Sequence, residues 1–291
     1  MKISGFTDEI CDSFEGQLQA AQSLGMEYIS LRSADGVNVG ALTMPTIVQK
    51  IKPLLEAYGI GVSSIGSPLG KVALGDETAF DEQLAMAARL RDIALALGCR
   101  YIRLFSFYLP EGTEAAAWSQ EVERRLGQLL AVFAGSGVTP LLENEKELYG
   151  DTPDRCEALL RAFAGQGLGL IFDPANFVQV GVDPLEAFHR LKPWIRYVHI
   201  KDADRESGIN VLCGTGGGRL PELLQELRAE GYDGFLTLEP HLVEFSALSQ
   251  LEQNGGQYLN TGETMSPLMA FSRQLEAVKQ LWKQGKQEVR S

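Results

Sequence analysis

Short runs of β-branched and aliphatic residues recur along the chain, and each is followed by a longer stretch whose apolar positions repeat near every 3.6 residues. The runs are KISGF, EYISL, IGVSSIG, RYIRLF, VTPLLE, LGLIFD, IRYVHIK and GFLTLE. Their central residues Ile3, Ile29, Val62, Ile102, Leu141, Ile171, Val198 and Leu236 lie 26 to 40 residues apart, the length of one strand with one helix. Independent helix signals fall between them. Thr152-Pro153 and Asp183-Pro184 each supply an N-cap and a proline at the first helical position, and Gly25, Gly59 and Gly98 stand just past periodic stretches, where a helix end wants positive φ.

Eight such units, with no linker rich in Pro, Gly and Ser before residue 243, predict one (β/α)₈ TIM barrel spanning 1–291 as a single domain. An open doubly wound sheet is the alternative. After Glu239 the pattern changes. Residues 249–264 are polar and glycine-containing, and an amphipathic helix over 266–284 follows, with Leu268, Phe271, Leu275, Val278 and Trp282 on one face. Read as the eighth barrel helix, it leaves 243–264 as a long loop over the C-terminal face, which is a lid, a subunit contact or a disordered insertion.

Composition narrows the classes. At 291 residues the length fits two domains or one barrel, and 45% hydrophobic content excludes disordered and fibrous chains. The net charge of −12 has the wrong sign for nucleic acid or an anionic membrane surface. Cys11, Cys99, Cys156 and Cys213 are far apart, without C-x-x-C pairing, which predicts reduced thiols. No apolar leader and no run of about 18 apolar residues develops, so a cytoplasmic protein is expected. Only three histidines, His189, His199 and His241, are available for chemistry.

In a barrel that chemistry sits at the C-terminal strand ends, above an interior expected to be packed aliphatic core. Four consecutive runs end in Glu143-Asn144-Glu145, Asp173-Pro174-Ala175-Asn176, His199-Ile200-Lys201-Asp202 and Glu239-Pro240-His241. Glu143, Asp173, His199 and Glu239 each directly follow an apolar strand, so a barrel would bring them together. Three carboxylates in a low-dielectric cleft repel strongly unless a cation compensates, and one divalent ion is the economical answer. This oxygen-rich set without thiolate favours Mn²⁺, Mg²⁺ or Co²⁺, with Zn²⁺ or Fe²⁺ also admissible.

LLENE, IFDPAN, YVHIKD, GTGGGR with GYDGFLTLE, and more weakly ISLRSADGVNV, resemble the xylose-isomerase-like barrel family of sugar-phosphate isomerases, ketose 3-epimerases and inosose dehydratases. The resemblance covers residues 1 to about 242 and places the family's four metal ligands on Glu143, Asp173, His199 and Glu239. It also implies Glu143 and Glu239 as an acid/base pair acting through a metal-stabilised enediolate. Two positions that often carry His in the family hold Glu145 and Asn176 here. The strand-two Glu is replaced by Ser30, and the Glu of the G-E-G loop by Thr215. The related AP-endonuclease branch builds a trinuclear zinc centre from several histidines, and three histidines with an adverse charge exclude that activity.

The expected function is isomerisation or epimerisation of a sugar or sugar phosphate, with Mn²⁺ as the favoured ion. An inosose-type dehydratase using the same metal is the alternative, and a barrel that binds metal or sugar without catalysis is the third reading. Lys201 shares the inward parity of His199, and His241 that of Glu239, so both are candidate substrate contacts. Lys71 and Ser67 follow strand three, and Asp8 and Glu9 either end strand one or start the first helix. The glycine loop with Arg219 either cradles a phosphate or is only a tight turn. A small-molecule carbohydrate is the expected partner, without nucleic acid or membrane, and a homo-oligomer is compatible with the sequence.

Overall fold

A computed structural model describes residues 1–245 and 265–284. Eight parallel strands form one sheet: β1 (Lys2–Gly5), β2 (Tyr28–Leu31), β3 (Gly61–Ile65), β4 (Tyr101–Leu104), β5 (Thr139–Glu143), β6 (Gly169–Phe172), β7 (Ile195–Ile200) and β8 (Phe235–Leu238). Each strand bonds its neighbour in sequence from β2 round to β8, and β8 pairs with β1, so the barrel is nearly closed with β1 beside β2. The helices between them are α1 (Phe14–Ser23), α2 (Lys52–Tyr58), α3 (Glu77–Ala96), α4 (Ser119–Phe133), α5 (Pro153–Ala162), the short α6 (Pro174–Gln179), α7 (Pro184–Leu191), α8 (Leu220–Ala229) and α9 (Pro267–Gln284). This is the TIM-barrel fold that the strand spacing predicts.

The local signals act as expected. The Thr152 hydroxyl accepts from the Arg155 amide, and the Asp183 carboxylate from the amides of Leu185 and Glu186. Gly59 takes the left-handed conformation that closes α2. The final helix begins at Pro267 with Ser266 accepting from the Met269 amide. Its buried seam is Ala270, Phe271, Gln274, Leu275 and Val278. Leu268, expected on that seam, is exposed instead. Gln274 is buried because its side chain bridges the Cys213 amide and the Ile200 carbonyl, tying α9 to the β7 loop. Of the predicted 243–264 loop, residues 246–264 lie outside the described residues.

The interior departs from the aliphatic layer expected. Leu141, Ile171 and Tyr197 pack there with Tyr101 and Phe235. Beside them runs a chain of hydroxyls: Ser4 to Ser63 at 2.5 Å, Ser63 to Tyr197 at 2.7 Å, Ser64 to Tyr197 at 3.0 Å and Ser30 to Ser64 at 2.6 Å. Small serines on β1, β2 and β3 leave room for the Tyr197 ring. The network satisfies the polar atoms that this arrangement buries. Replacing Tyr197 by Phe removes one partner each from Ser63 and Ser64, which keep Ser4, the Ile29 carbonyl and Ser30, and should lower stability by about 1 kcal/mol. Urea unfolding reads this directly, and an unchanged midpoint would show that the network contributes nothing.

Candidate metal centre and active site

Strand alternation sets the site. Leu141, Ile171 and Tyr197 face the interior, so Glu143, Asp173 and His199, two residues further on, face inward one layer higher. On β8, Thr237 lies abreast of His199, which brings Glu239 to the same mouth. His199 Nδ1 stands 2.9 Å from Glu143 Oε1, 3.1 Å from Glu239 Oε2 and 3.7 Å from Asp173 Oδ2. All four side chains are buried, and their ligand atoms lie within 4.8 Å of one another.

The backbone behind the cluster is pinned. Asn144 donates to the Asp173 carbonyl at 2.8 Å and accepts from its amide at 2.9 Å, locking the end of β5 to the end of β6. Asp173 Oδ1 caps α6 by accepting from the Asn176 amide, which turns Oδ2 toward the centre. Asp173 Oδ2, Glu239 Oε2 and His199 Nε2 are buried without a hydrogen-bond partner. Buried acceptor oxygens converging beside an imidazole fit a hard divalent ion, and no thiolate is present to favour a structural zinc site.

Two buried arginines that the strand ends did not reveal complete the arrangement. Arg103 on β4 donates to Glu143 Oε2 at 3.1 Å and to the carbonyls of Ser67 and Gly66. Arg32, just past β2, donates to both oxygens of Asp8 at 2.8 and 3.0 Å, to Glu9 at 3.3 Å and to Glu239 Oε1 at 2.9 Å. Phe6 lies between the two, with Arg32 at 4.4 Å and Arg103 at 5.3 Å from its ring and His199 edge-on at 5.3 Å. Asp8 and Glu9 sit in a tight helical turn, Thr7–Glu9, well before α1, and both are buried against Arg32.

The remaining candidates divide. Lys201 donates to Asn176 Oδ1 at 2.9 Å and lies 3.6 Å from Asp173, so both residues join the centre. Lys71 pairs with Glu145 at 2.8 Å at its rim, over the Phe105 ring. His241, with φ of 47°, gives its amide to Glu9 and places Nε2 3.4 Å from Glu9 and 3.6 Å from Glu239. Glu9, Glu239 and His241 form a second group able to hold a cation, and Arg32 already donates to both of its carboxylates. Ser67 is committed to the Arg103 carbonyl. Arg219 is not brought to the centre. It pairs with Glu222 at 2.7 Å and lies 3.6 Å from Asp183, partly in solvent.

The glycine loop surrounds an anion of its own. Asp202 accepts from the amides of Ala203, Gly214, Gly216 and Gly218 at 2.7–3.0 Å. A Cβ on Gly216 or Gly218 would stand 2.5 or 2.6 Å from Asp202 Oδ1, so these two positions need glycine for close approach.

Burial alone would raise the Glu143 carboxyl, but His199 and Arg103 hold it at about 2. Glu239 is likewise held well below the usual range, against burial, chiefly by His199. Burial opposes charge on His199, and Glu143 with Glu239 overcome it and push the imidazole well above its ordinary value. The metal-free centre therefore holds an imidazolium, whereas coordination requires the neutral ring. Metal binding near neutral pH should release about one proton and weaken about tenfold per pH unit on acidification. Calorimetry in buffers of different ionisation enthalpy measures this, and binding without proton release would contradict the assignment.

The fold is a barrel with a buried cluster of carboxylates and one imidazole at the C-terminal ends of its strands. Residues 18–257 match the family model described as xylose isomerase-like TIM barrel, and the chain belongs to that family. It is 24% identical over 228 residues to the 2-epi-5-epi-valiolone 7-phosphate 2-epimerase of an Actinoplanes species, covering 77% of this chain and 81% of that one. It is 24% identical over 244 residues to the 3-dehydroshikimate dehydratase of Bacillus anthracis, covering 78% and 85%. Among solved structures, the IOLI protein with a bound zinc atom superposes with a TM-score of 0.75 at 15% identity, over 98% of this chain and 99% of that one. No helix among the described residues is long and apolar enough to cross a membrane.

Proposed function

We propose that the protein is a metal-dependent isomerase or epimerase of a small carbohydrate, with Glu143 and Glu239 as its acid/base pair. The convergence of these two carboxylates on one imidazole nitrogen, from β5 and the end of β8, carries the reading. Each has its other oxygen held by a different guanidinium, Arg103 for Glu143 and Arg32 for Glu239. One oxygen of each is thus fixed, and the other is turned inward.

One of the two carboxylates takes the proton from the carbon beside the substrate carbonyl, and the C–H electron pair forms the enediolate. In epimerisation the other glutamate enters the step as the carboxylic acid and gives its proton to the opposite face of the same carbon, ending as the carboxylate; in isomerisation a proton returns to the neighbouring carbon while the hydroxyl proton shifts to the former carbonyl oxygen. Glu143, Asp173, His199 and Glu239 would hold a divalent ion, Mn²⁺ by the hardness of the donor set, which when bound supplies Lewis acidity to the carbonyl and its adjacent hydroxyl. Lys201 and Asn176 would bind substrate hydroxyls beside Asp173, and Glu145, Lys71 and His241 would supply further contacts, a reading supported by the Lys201–Asn176 bond at 2.9 Å next to the four candidate ligands. Low exposure of the whole centre keeps bulk water from the carbanion.

Dehydration is the second reading, supported by the similarity to the 3-dehydroshikimate dehydratase. It begins with the same deprotonation and ends with loss of the β-hydroxyl. Incubating Mn²⁺-loaded protein with ketoses and aldoses in D₂O should place deuterium on the carbon next to the carbonyl. Appearance of a dehydrated product moves the assignment to the lyase, and exchange in no member of a broad panel contradicts proton transfer. Glu143→Gln and Glu239→Gln should each lower the exchange rate by about 10²–10⁴-fold with the circular dichroism spectrum unchanged. Retained turnover in either variant would remove that residue from the pair.

A further inference from the structure

We infer that the mouth excludes anionic substrates, so that the carbohydrate is uncharged and carries neither phosphate nor carboxylate. This rests on the proposed function and narrows its substrate class. The first observation is the glycine loop after β7. Such a loop leading into a helix is the usual place for a barrel to hold a phosphate. Here three of its amides, with that of Ala203, already point at the two oxygens of Asp202. The pocket that a phosphate would fill is occupied by a side chain of the same chain. Arg219 of the loop and Arg205 ahead of it each pair with an acid, Arg219 with Glu222 at 2.7 Å and Arg205 with Asp183 at 3.2 Å.

The second observation is the charge balance at the mouth. Asp8, Glu9, Glu143, Glu145, Asp173 and Glu239 face four cations, Arg32, Arg103, Lys71 and Lys201, and every one of the four is within 3.6 Å of an acid. Six negative charges against four positive leave two, which one divalent ion cancels. With His199 neutral as a ligand, these side chains and the ion together carry no net charge. A phosphate or carboxylate entering this buried space would have to break an existing ion pair or remain unpaired, and either is costly. Hydroxyl groups meet no such penalty. Lys201, Asn176 and the Glu145–Lys71 pair offer them donors and acceptors together.

Calorimetry on the full-length Mn²⁺-loaded protein tests this with matched ligands: D-fructose against fructose 6-phosphate and D-fructuronate, and D-tagatose against tagatose 6-phosphate. Contacts of the shared carbonyl end cancel in each ratio, leaving the effect of the anionic group. The anions should bind about a hundredfold more weakly than their parents or not at all. In parallel, inorganic phosphate titrated against the metal-free protein should leave the NMR amide signals of Gly214, Gly216 and Gly218 in place. An anion bound as tightly as its parent overturns the inference, and so do loop amides that shift with phosphate. Deuterium exchange in D₂O separates the two claims. Exchange into an anionic ligand at its parent's rate overturns the substrate class alone, whereas exchange into no ligand with anion binding still absent overturns only the proposed function.

Discussion

Burying three carboxylates within reach of one imidazole is the constraint around which the barrel mouth is organised. An isolated carboxylate in a low-dielectric interior costs many kcal/mol, so such a cluster persists only with cations placed against it. Arg103 and Arg32 meet this need from β4 and the end of β2, each with all three guanidinium nitrogens donating. Phe6 separates the two guanidiniums and offers its ring to both, which keeps each aimed at its own glutamate. Asp8 and Glu9 then balance Arg32, which is why a helical turn is inserted between β1 and α1.

The same economy governs the layers below and beside the centre. Tyr197, beneath His199, brings a hydroxyl into the barrel interior, and serines from β3 satisfy it. Asp202, beside Lys201, turns away from the mouth and is satisfied by backbone amides. In each case a buried polar group is matched by a partner from a different strand or loop, so the polar contacts fix the relative register of the elements as well as the chemistry.

Much of this was legible in the sequence because it is local. Strand ends follow from apolar runs, and inward parity follows from alternation, so Glu143, Asp173, His199 and Glu239 could be grouped without coordinates. The caps at Thr152 and Asp183 were legible for the same reason. What escaped is non-local. Arg103 lies within an apolar run and Arg32 just after one, and nothing nearby says whether such a residue is solvated or buried. A charge count at the mouth was the available signal, since three carboxylates exceed what one divalent ion neutralises. The glycine loop allowed two readings because glycine permits close approach without naming what approaches, and only the fold shows that it is Asp202. Leu268 misled because its spacing suits the apolar seam, while the buried place on α9 is held by Gln274.

The central claim is that the charge left over at the mouth is met by one divalent ion among Glu143, Asp173, His199 and Glu239. Anomalous diffraction at the manganese edge from crystals of the Mn²⁺-loaded protein measures this directly. One peak per chain, within coordination distance of all four side chains, is the predicted result. A peak at Glu9 and His241 instead, or no peak at either group, would contradict the account.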